Sequence, residues 1–205
     1  MIEIIDSVFV TSAPNIKLAP ENPLQNEVAF MARSNTGKSS ILNTLTNRKS
    51  LAKVSSTPGK TRLINYFDVV FIDRDSQERL NAKFIDLPGF GYAKVAKSLK
   101  ADWESNLTDF ITGRSQIRVF VHLIDCRHPD LEIDASVHEY LEQICTPSQV
   151  ILRVFTKIDK LNQKELNELK KRFPGALMVS NLKKRGVQAV VERIYSILKR
   201  DDSAE

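Results

Sequence analysis

Apolar positions along the chain fall into short runs that alternate between strand-like and helix-like spacing. Residues 3–10 alternate loosely, as a strand does, and lead into Ala13-Pro14-Asn15 and Ala19-Pro20-Glu21-Asn22-Pro23, a connector that keeps the backbone extended. The apolar run Glu27-Val28-Ala29-Phe30-Met31 predicts a strand. Ile41 to Leu45, with Leu42 and Leu45 at helical spacing, predicts a helix that frays near Asn47. Residues 48–62 have little periodicity and a Thr57-Pro58-Gly59 turn, the pattern of a mobile surface loop. Two β-rich runs, 63–72 and 80–85, flank Asp73-Arg74-Asp75-Ser76-Gln77 and predict an antiparallel hairpin. Residues 87–100, with Pro88, Gly89 and Gly91, resist assignment, whereas 103–111 space their apolar residues for a helix. Strand and helix then alternate over 119–124, 131–144, 150–155, 165–173, 177–179 and 187–198. This order predicts an α/β fold in three layers: a mostly parallel sheet, covered on both faces, with the hairpin supplying one antiparallel edge strand. In such sheets ligands collect beyond the carboxyl ends of the strands.

A chain of 205 residues, 42% of them hydrophobic, suits one well-buried domain. We expect a single domain over residues 1–200 with a frayed tail at 201–205. The longest apolar runs, such as Val69-Val70-Phe71-Ile72, are far too short to cross a bilayer, and the acidic start Met1-Ile2-Glu3-Ile4-Ile5-Asp6 does not read as a signal peptide. The expectation is a cytoplasmic protein, monomeric and away from the membrane. Cys126 and Cys145 read as two buried reduced thiols, and His122, His128 and His138 lack a metal-like companion set. Thirty Lys and Arg against 25 Asp and Glu give a net charge of +5 and a pI near 9.2. The bases cluster at Arg48-Lys49, Lys53, Lys60 and Arg62, at Lys94, Lys97 and Lys100, at 170–172 and at 183–185. Such clusters point weakly to a polyanion.

The predicted strand 27–31 runs into Ala32-Arg33-Ser34-Asn35-Thr36-Gly37-Lys38-Ser39, and a helix opens on the Gly-Lys-Ser. Strand, tight loop and helix in this order make a phosphate cradle, because the loop N–H groups and the positive end of the helix converge on one place. Lys38 then reaches the terminal phosphates and the Ser39 hydroxyl coordinates Mg²⁺. The P-loop pattern G-x-x-x-x-G-K-[ST] has Gly where this chain has Ala32. If that position requires a positive φ, Ala costs about 1 kcal/mol there.

Three further fragments follow predicted strands. Asp86-Leu87-Pro88-Gly89 offers a carboxylate for Mg²⁺ and a Gly89 N–H for a γ-phosphate. In Thr156-Lys157-Ile158-Asp159 the Asp159 carboxylate can accept both the ring N–H and the exocyclic amine of guanine. Adenine lacks that pair of donors. The Lys157 stem can lie along the base and Thr156 can tie this loop to the P-loop. The competing reading makes Asp159 the N-cap of the following helix. Backbone N–H groups of 179–187 can contact the guanine carbonyl. Thr61 is the preferred γ-phosphate sensor and second Mg²⁺ ligand, with Thr44, Thr46 and Thr57 as competitors.

Taken together, Arg33-Ser34-Asn35-x-Gly37-Lys38-Ser39-Ser40, Asn47-Arg48-Lys49, Pro58-Gly59-Lys60-Thr61, Asp86-Leu87-Pro88-Gly89-Phe90-Gly91-Tyr92-Ala93, Asp125-x-Arg127-His128, Thr156-Lys157-x-Asp159 and Leu182-Lys183-Lys184-x-Gly186-Val187 resemble the EngB/YihA (YsxC) family of TRAFAC Ras-like GTPases. The resemblance runs from about residue 5 to 200. It implies a Ras-like G domain that binds GTP and GDP with Mg²⁺, assists late assembly of the large ribosomal subunit with its rRNA, and is needed for normal cell division and septation. By the same resemblance, nucleotide contacts fall on Ala32, Arg33, Ser34, Asn35, Thr36, Gly37, Lys38 and Ser39, on Gly59, Lys60, Thr61, Arg62 and Leu63, on Asp86, Leu87, Pro88 and Gly89, on Thr156, Lys157, Ile158 and Asp159, and on Val179, Ser180 and Asn181. Mg²⁺ falls on Ser39 and Thr61. Ala32 and Asn181 depart from the family pattern, where Gly and a small residue are commoner.

Lys38 and Thr61 are the expected catalytic residues. Many GTPases place a water-orienting Gln right after the D-x-x-G glycine, and here that residue is Phe90. The expectation is slow intrinsic hydrolysis, stimulated by a partner. Asn35 resembles the P-loop Asn that lets some related GTPases bind K⁺. A phosphotransferase acting on a small metabolite and a non-catalytic RNA-binding module are the two rival readings.

Overall fold

The computed structural model describes residues 1–24, 26–48, 51–52, 63–90 and 107–200. Within them the chain builds strands β1 (Ile2–Ala13), β2 (Glu27–Ala32), β3 (Ile64–Asp73), β4 (Arg79–Asp86), β5 (Ile117–Asp125), β6 (Val150–Thr156) and β7 (Leu177–Met178). The helices are α1 (Lys38–Leu45), a helical stretch α2 at 107–113, α3 (Glu132–Ile144), α4 (Gln163–Arg172) and α5 (Val187–Leu198).

The seven strands form one sheet in the order β1-β3-β4-β2-β5-β6-β7. From β4 through β7 the pairings are parallel, with Phe30 opposite both Asp86 and Val121, and Asp125 opposite Thr156. The hairpin forms as expected: β3 pairs antiparallel with β4, Tyr66 opposite Ile85. Yet β3, the reversed strand, stands one place in from the edge. The N-terminal strand β1 adds outside it, antiparallel, through two register shifts between Ile4 and Asp6 and between Phe9 and Thr11.

Burial explains why the central strands are apolar without alternation. Every residue of β2 is buried, because both faces of the sheet are covered. On one face, Val28, Phe30, Phe84, Val121 and Val154 meet Ile41 and Leu42 of α1 and Val190, Ile194 and Tyr195 of α5. On the other, Ala29, Met31, Ile85 and Phe120 meet Phe110 of α2 and Leu141 of α3. A third cluster packs Leu166 and Leu169 of α4 against Ile124, Phe155 and Ile158. The connector after β1 is fastened by Arg114, whose guanidinium donates to both carboxylate oxygens of fully buried Glu27 (2.6 and 2.7 Å) and to the Pro20 carbonyl (2.6 Å). The same guanidinium lies over the Tyr66 and Phe110 rings.

Because β2, β4, β5, β6 and β7 run in one direction, the segments that follow them leave the same edge of the sheet. Those segments are 33–37, 87–90, 126–128, 157–159 and 179–185.

Candidate nucleotide site

At the centre lies the loop between β2 and α1. Ala32 is the last residue of β2, buried and paired with Leu123, and the backbone there is not left-handed. The backbone cost anticipated for Ala at this position therefore does not arise. The left-handed residues of the loop are Asn35 (φ 65°) and Gly37 (φ 103°), the latter capping α1. Arg33 donates through Nε to Asp134 of α3 at 3.0 Å. The Ser34 N–H donates to the Phe90 carbonyl (3.3 Å), and the Phe90 N–H donates to the Ala32 carbonyl (3.1 Å). Lys38 and Ser39 open α1.

The Lys38 ammonium forms an ion pair with Asp86, the last residue of β4, whose second oxygen accepts from Asn65 Nδ2 at 3.3 Å. Both charged side chains are largely buried. The expected phosphate ligand and the expected Mg²⁺ carboxylate are therefore neighbours, joined across the P-loop and β4. Leu87, Pro88 and Gly89 are buried, the Leu87 N–H donating to the Phe30 carbonyl (3.2 Å). Phe90 is turned into the second core cluster, its ring 6.1 Å from that of His122.

The third fragment is laced to the first. Thr156, fully buried, donates its hydroxyl to the Thr36 carbonyl at 2.7 Å, the tie expected of it. Lys157, with φ 61°, reaches over the loop and donates Nζ to the Asn35 carbonyl at 2.6 Å. Ile158 is buried and donates its N–H to the Val179 carbonyl at 3.3 Å. Asp159 is not a helix cap. The cap of α4 is Asn162, which forms a reciprocal box with Glu165, and the Asn-x-x-Glu spacing ahead of Leu166 and Leu169 is the sequence signal that identifies it. Asp159 instead accepts the Ser180 hydroxyl at 2.5 Å. That hydrogen bond, helped by nearby Lys160 and Lys183, holds the Asp159 carboxyl below the usual carboxylate range.

Val179 and Ser180 are buried, and Ser180 is bridged to Arg185 through paired backbone hydrogen bonds of 2.9 and 3.1 Å. Asn181 turns inward: a Cβ on Gly37 would lie 3.7 Å from its Nδ2. Its Oδ1 is buried and, among the described residues, has no partner. Asn181 thus brings an amide against the P-loop glycine.

Of the remaining expected residues, Leu63 is exposed just ahead of β3. Gly59, Lys60, Thr61 and Arg62 lie outside the described residues, as do Lys49, Lys53, Thr57, Lys94, Lys97, Lys100 and the tail 201–205. Two acidic residues not placed among the candidates join the site. Asp134 holds Arg33. Asp125, at the end of β5, accepts from Lys157 Nζ (2.8 Å) and from Arg127 through Nε, a terminal nitrogen and the backbone N–H (3.0, 2.7 and 3.1 Å). Burial pushes the Asp125 carboxyl up, but these hydrogen bonds outweigh it and hold the group well below the usual range. An acid closing an apolar strand, with Arg two residues on, was its sequence signal.

Comparison with known proteins agrees with this arrangement. Residues 27–157 match the family model of the 50S ribosome-binding GTPases. The chain is 54% identical over 196 residues to the probable GTP-binding protein EngB of Aliarcobacter butzleri, covering 95% of this chain and 98% of that protein. It is 50% identical over 195 residues to the Campylobacter jejuni protein of the same name, covering 94% and 96%. Among solved structures, a probable GTP-binding protein EngB superposes with a TM-score of 0.63 at 22% identity, over 84% of this chain and 98% of that one. Era from Aquifex aeolicus bound to GDP and AlF₄⁻ gives 0.62 at 22% identity, over 86% and 57%. The two solved structures speak to the fold, and the near full-length identities carry the assignment: this chain belongs to the EngB family of GTP-binding proteins.

Proposed function

We propose that residues 1–200 act as one guanine-nucleotide switch, a GTPase that assists late assembly of the large ribosomal subunit and is needed for normal cell division and septation. The observation that carries this reading is the lacing of Thr156-Lys157-Ile158-Asp159 onto the P-loop through Thr36 and Asn35. That lacing supports a reading in which Asp159 takes the purine edge and the P-loop takes the phosphates of one ligand.

In this reading nucleotide contacts come from Ala32 to Ser39, Gly59 to Leu63, Asp86 to Gly89, Thr156 to Asp159 and Val179 to Asn181. Lys38 neutralises the terminal phosphates. Mg²⁺ is held by Ser39 and Thr61 with Asp86 behind it. The described part of that set is all oxygen, the donor class this ion takes. The ion supplies charge neutralisation for phosphoryl transfer. Asn35, on the exposed turn of the loop, is the residue we assign to K⁺.

Intrinsic hydrolysis is slow in this reading. Residue 90 carries no hydrogen-bonding side chain and its ring is committed to the core, so polar groups that orient water come from the ribosomal partner. Bases at 183–185 and in the clusters at 48–62 and 94–100 meet rRNA phosphates, and binding weakens as salt rises. The protein works as a monomer in the cytoplasm.

Calorimetric titration of GTP, GDP and ATP, with and without large subunits, tests the reading. The expected result is binding of both guanine nucleotides, no heat from ATP, and subunit affinity that rises with GTP. ATP held as tightly as GTP overturns it, and equal subunit affinity with GDP and GTP overturns it in favour of the rival non-catalytic RNA-binding module.

A further inference from the structure

The Asp125-x-Arg127 motif is unused by the nucleotide chemistry described above, yet it sits at its centre. Asp125 closes β5, the strand between the P-loop strand and the strand carrying Thr156-Lys157-Ile158-Asp159. Its carboxylate is 5% exposed and receives four hydrogen bonds, one from Lys157 and three from Arg127.

We infer that Asp125 is the positioning residue for guanine-nucleotide affinity, acting through Lys157: it fixes the Lys157 ammonium so that this side chain clasps the Asn35 carbonyl and lies along the bound base. This inference rests on the proposed nucleotide site.

The geometry supports it in three ways. Lys157 and Asn35 both hold left-handed backbone, with φ of 61° and 65°, although neither is glycine. Such conformations persist where surrounding contacts over-determine them, and the bond from Lys157 Nζ to Asn35 O joins these two strained residues directly. Second, the ammonium is shared between that carbonyl at 2.6 Å and Asp125 at 2.8 Å, which leaves a long flexible stem in one geometry. A lysine free of this anchor loses side-chain entropy whenever it settles on a ligand. Third, Asp125 compensates the close approach of two cations, Arg127 and Lys157. With the carboxylate removed, they repel across the mouth of the base site.

Asp125 touches the base end of the site through Lys157 and makes no contact with Lys38 or Asp86 among the described hydrogen bonds. Its removal should therefore weaken GDP and GTP alike and leave the phosphate chemistry alone.

The test uses the full chain with D125N, K157M, the D125N/K157M pair and D159N. GDP and GTP affinities are measured by fluorescent-nucleotide binding, alongside single-turnover hydrolysis at saturating GTP. D125N is expected to weaken GDP and GTP equally by about 10- to 100-fold with the single-turnover rate unchanged, because the Lys157 ammonium loses its charged acceptor. The double variant should bind no more weakly than K157M alone, because both changes remove one interaction. If D125N melts below the assay temperature, D125E keeps the charge with its oxygens displaced and should show an intermediate, equal loss for both nucleotides. The inference fails if D125N binds GTP within about twofold of the unaltered chain while D159N binds it weakly, or if D125N and K157M losses add. If D159N also leaves GTP affinity intact, the nucleotide-site reading falls and takes this inference with it.

Discussion

Arg33, the second residue of the P-loop segment, donates its Nε to Asp134 of α3 across 3.0 Å, and the Asp134 side chain is only 2% exposed. The phosphate loop is thereby fastened to a helix on the far side of the sheet from α1. Asp134 also stands 3.9 Å from the Nε2 of fully buried His122, whose ring packs between Phe90 and His138. Arg33, Phe90 and α3 form one connected layer behind the site.

Breaking that fastening has a definite expected result. Asp134→Asn leaves Arg33 without its charge partner at a site with little water, and a loss of about 1–3 kcal/mol follows. Thermal denaturation should show a melting temperature lower by several degrees. Hydrogen exchange should locate the change, with faster exchange at the Ser34 and Phe90 amides that lace the P-loop to residue 90. Unchanged protection at those two amides counts against a shared layer.

The tie from Thr156 to Thr36 predicts a different signature. Thr156→Val keeps the shape of the side chain but strips the hydroxyl from a fully buried position, leaving the Thr36 carbonyl without that donor. The cost is about 1–2 kcal/mol, shared between folding and the alignment of the two ligand loops. GTP and GDP affinity should both fall by about tenfold with guanine selectivity retained, since Asp159 and Ser180 are untouched. Selectivity lost in step with affinity overturns the division of labour between Thr156 and Asp159.

Much of this architecture was legible because the physics is local. A strand buried on both faces needs mostly apolar residues, and 28–32 and, around His122, 119–124 have them. The hairpin announced itself through polar residues 73–77 between two β-rich runs. Placement of the site followed from parallel strands ending at one edge, so the P-loop, Asp86, Thr156 and Asp159 could be gathered before their distances were known. What spacing does not encode is long-range pairing. Arg33 and Asp134 are 101 positions apart, and nothing near either residue names the other. Strand β1 was visible as a strand, but its place outside β3 depends on which sheet edge is free. The cap alternative for Asp159 is open in the sequence because Asp is a common cap, although Asn162-x-x-Glu165, beginning three residues later, carries the stronger signal.

Gly186 offers a sharper test of the loop that carries Ser180 and Asn181. Its φ is +75°, and a Cβ there would stand 2.0 Å from the Met178 carbonyl oxygen, inside any permissible contact. Neither the backbone of β7 nor the first turn of α5 can yield without moving the other. Gly186→Ala should cost about 3 kcal/mol or more, combining left-handed strain with a backbone clash. Chemical denaturation measures the loss directly. Guanine nucleotide should recover less of it than in other equally destabilised variants, because the 179–185 loop is displaced as well.

Acid stability should be governed by His138. Burial, with nearby Arg153 and His122 adding to it, lowers this histidine from its ordinary 6.5 to about 4, against the opposing pull of Glu142 at 3.4 Å. The unfolded chain therefore binds a proton between pH 6.5 and 4 that the folded chain refuses, and stability falls as pH drops through that window. The full loss is on the order of 3 kcal/mol. Asp125 and Asp159, both held below the ordinary carboxylate range, give up their stabilising contributions only at lower pH. On the alkaline side, burial raises Cys126 and Cys145 to about 11, so the unfolded chain loses protons first above pH 9 and stability falls there too. Urea denaturation across pH 4–10 should trace a dome with these two limbs. His138→Gln should flatten the acid limb and leave the alkaline limb in place, whereas an acid limb that survives this substitution assigns it to another group.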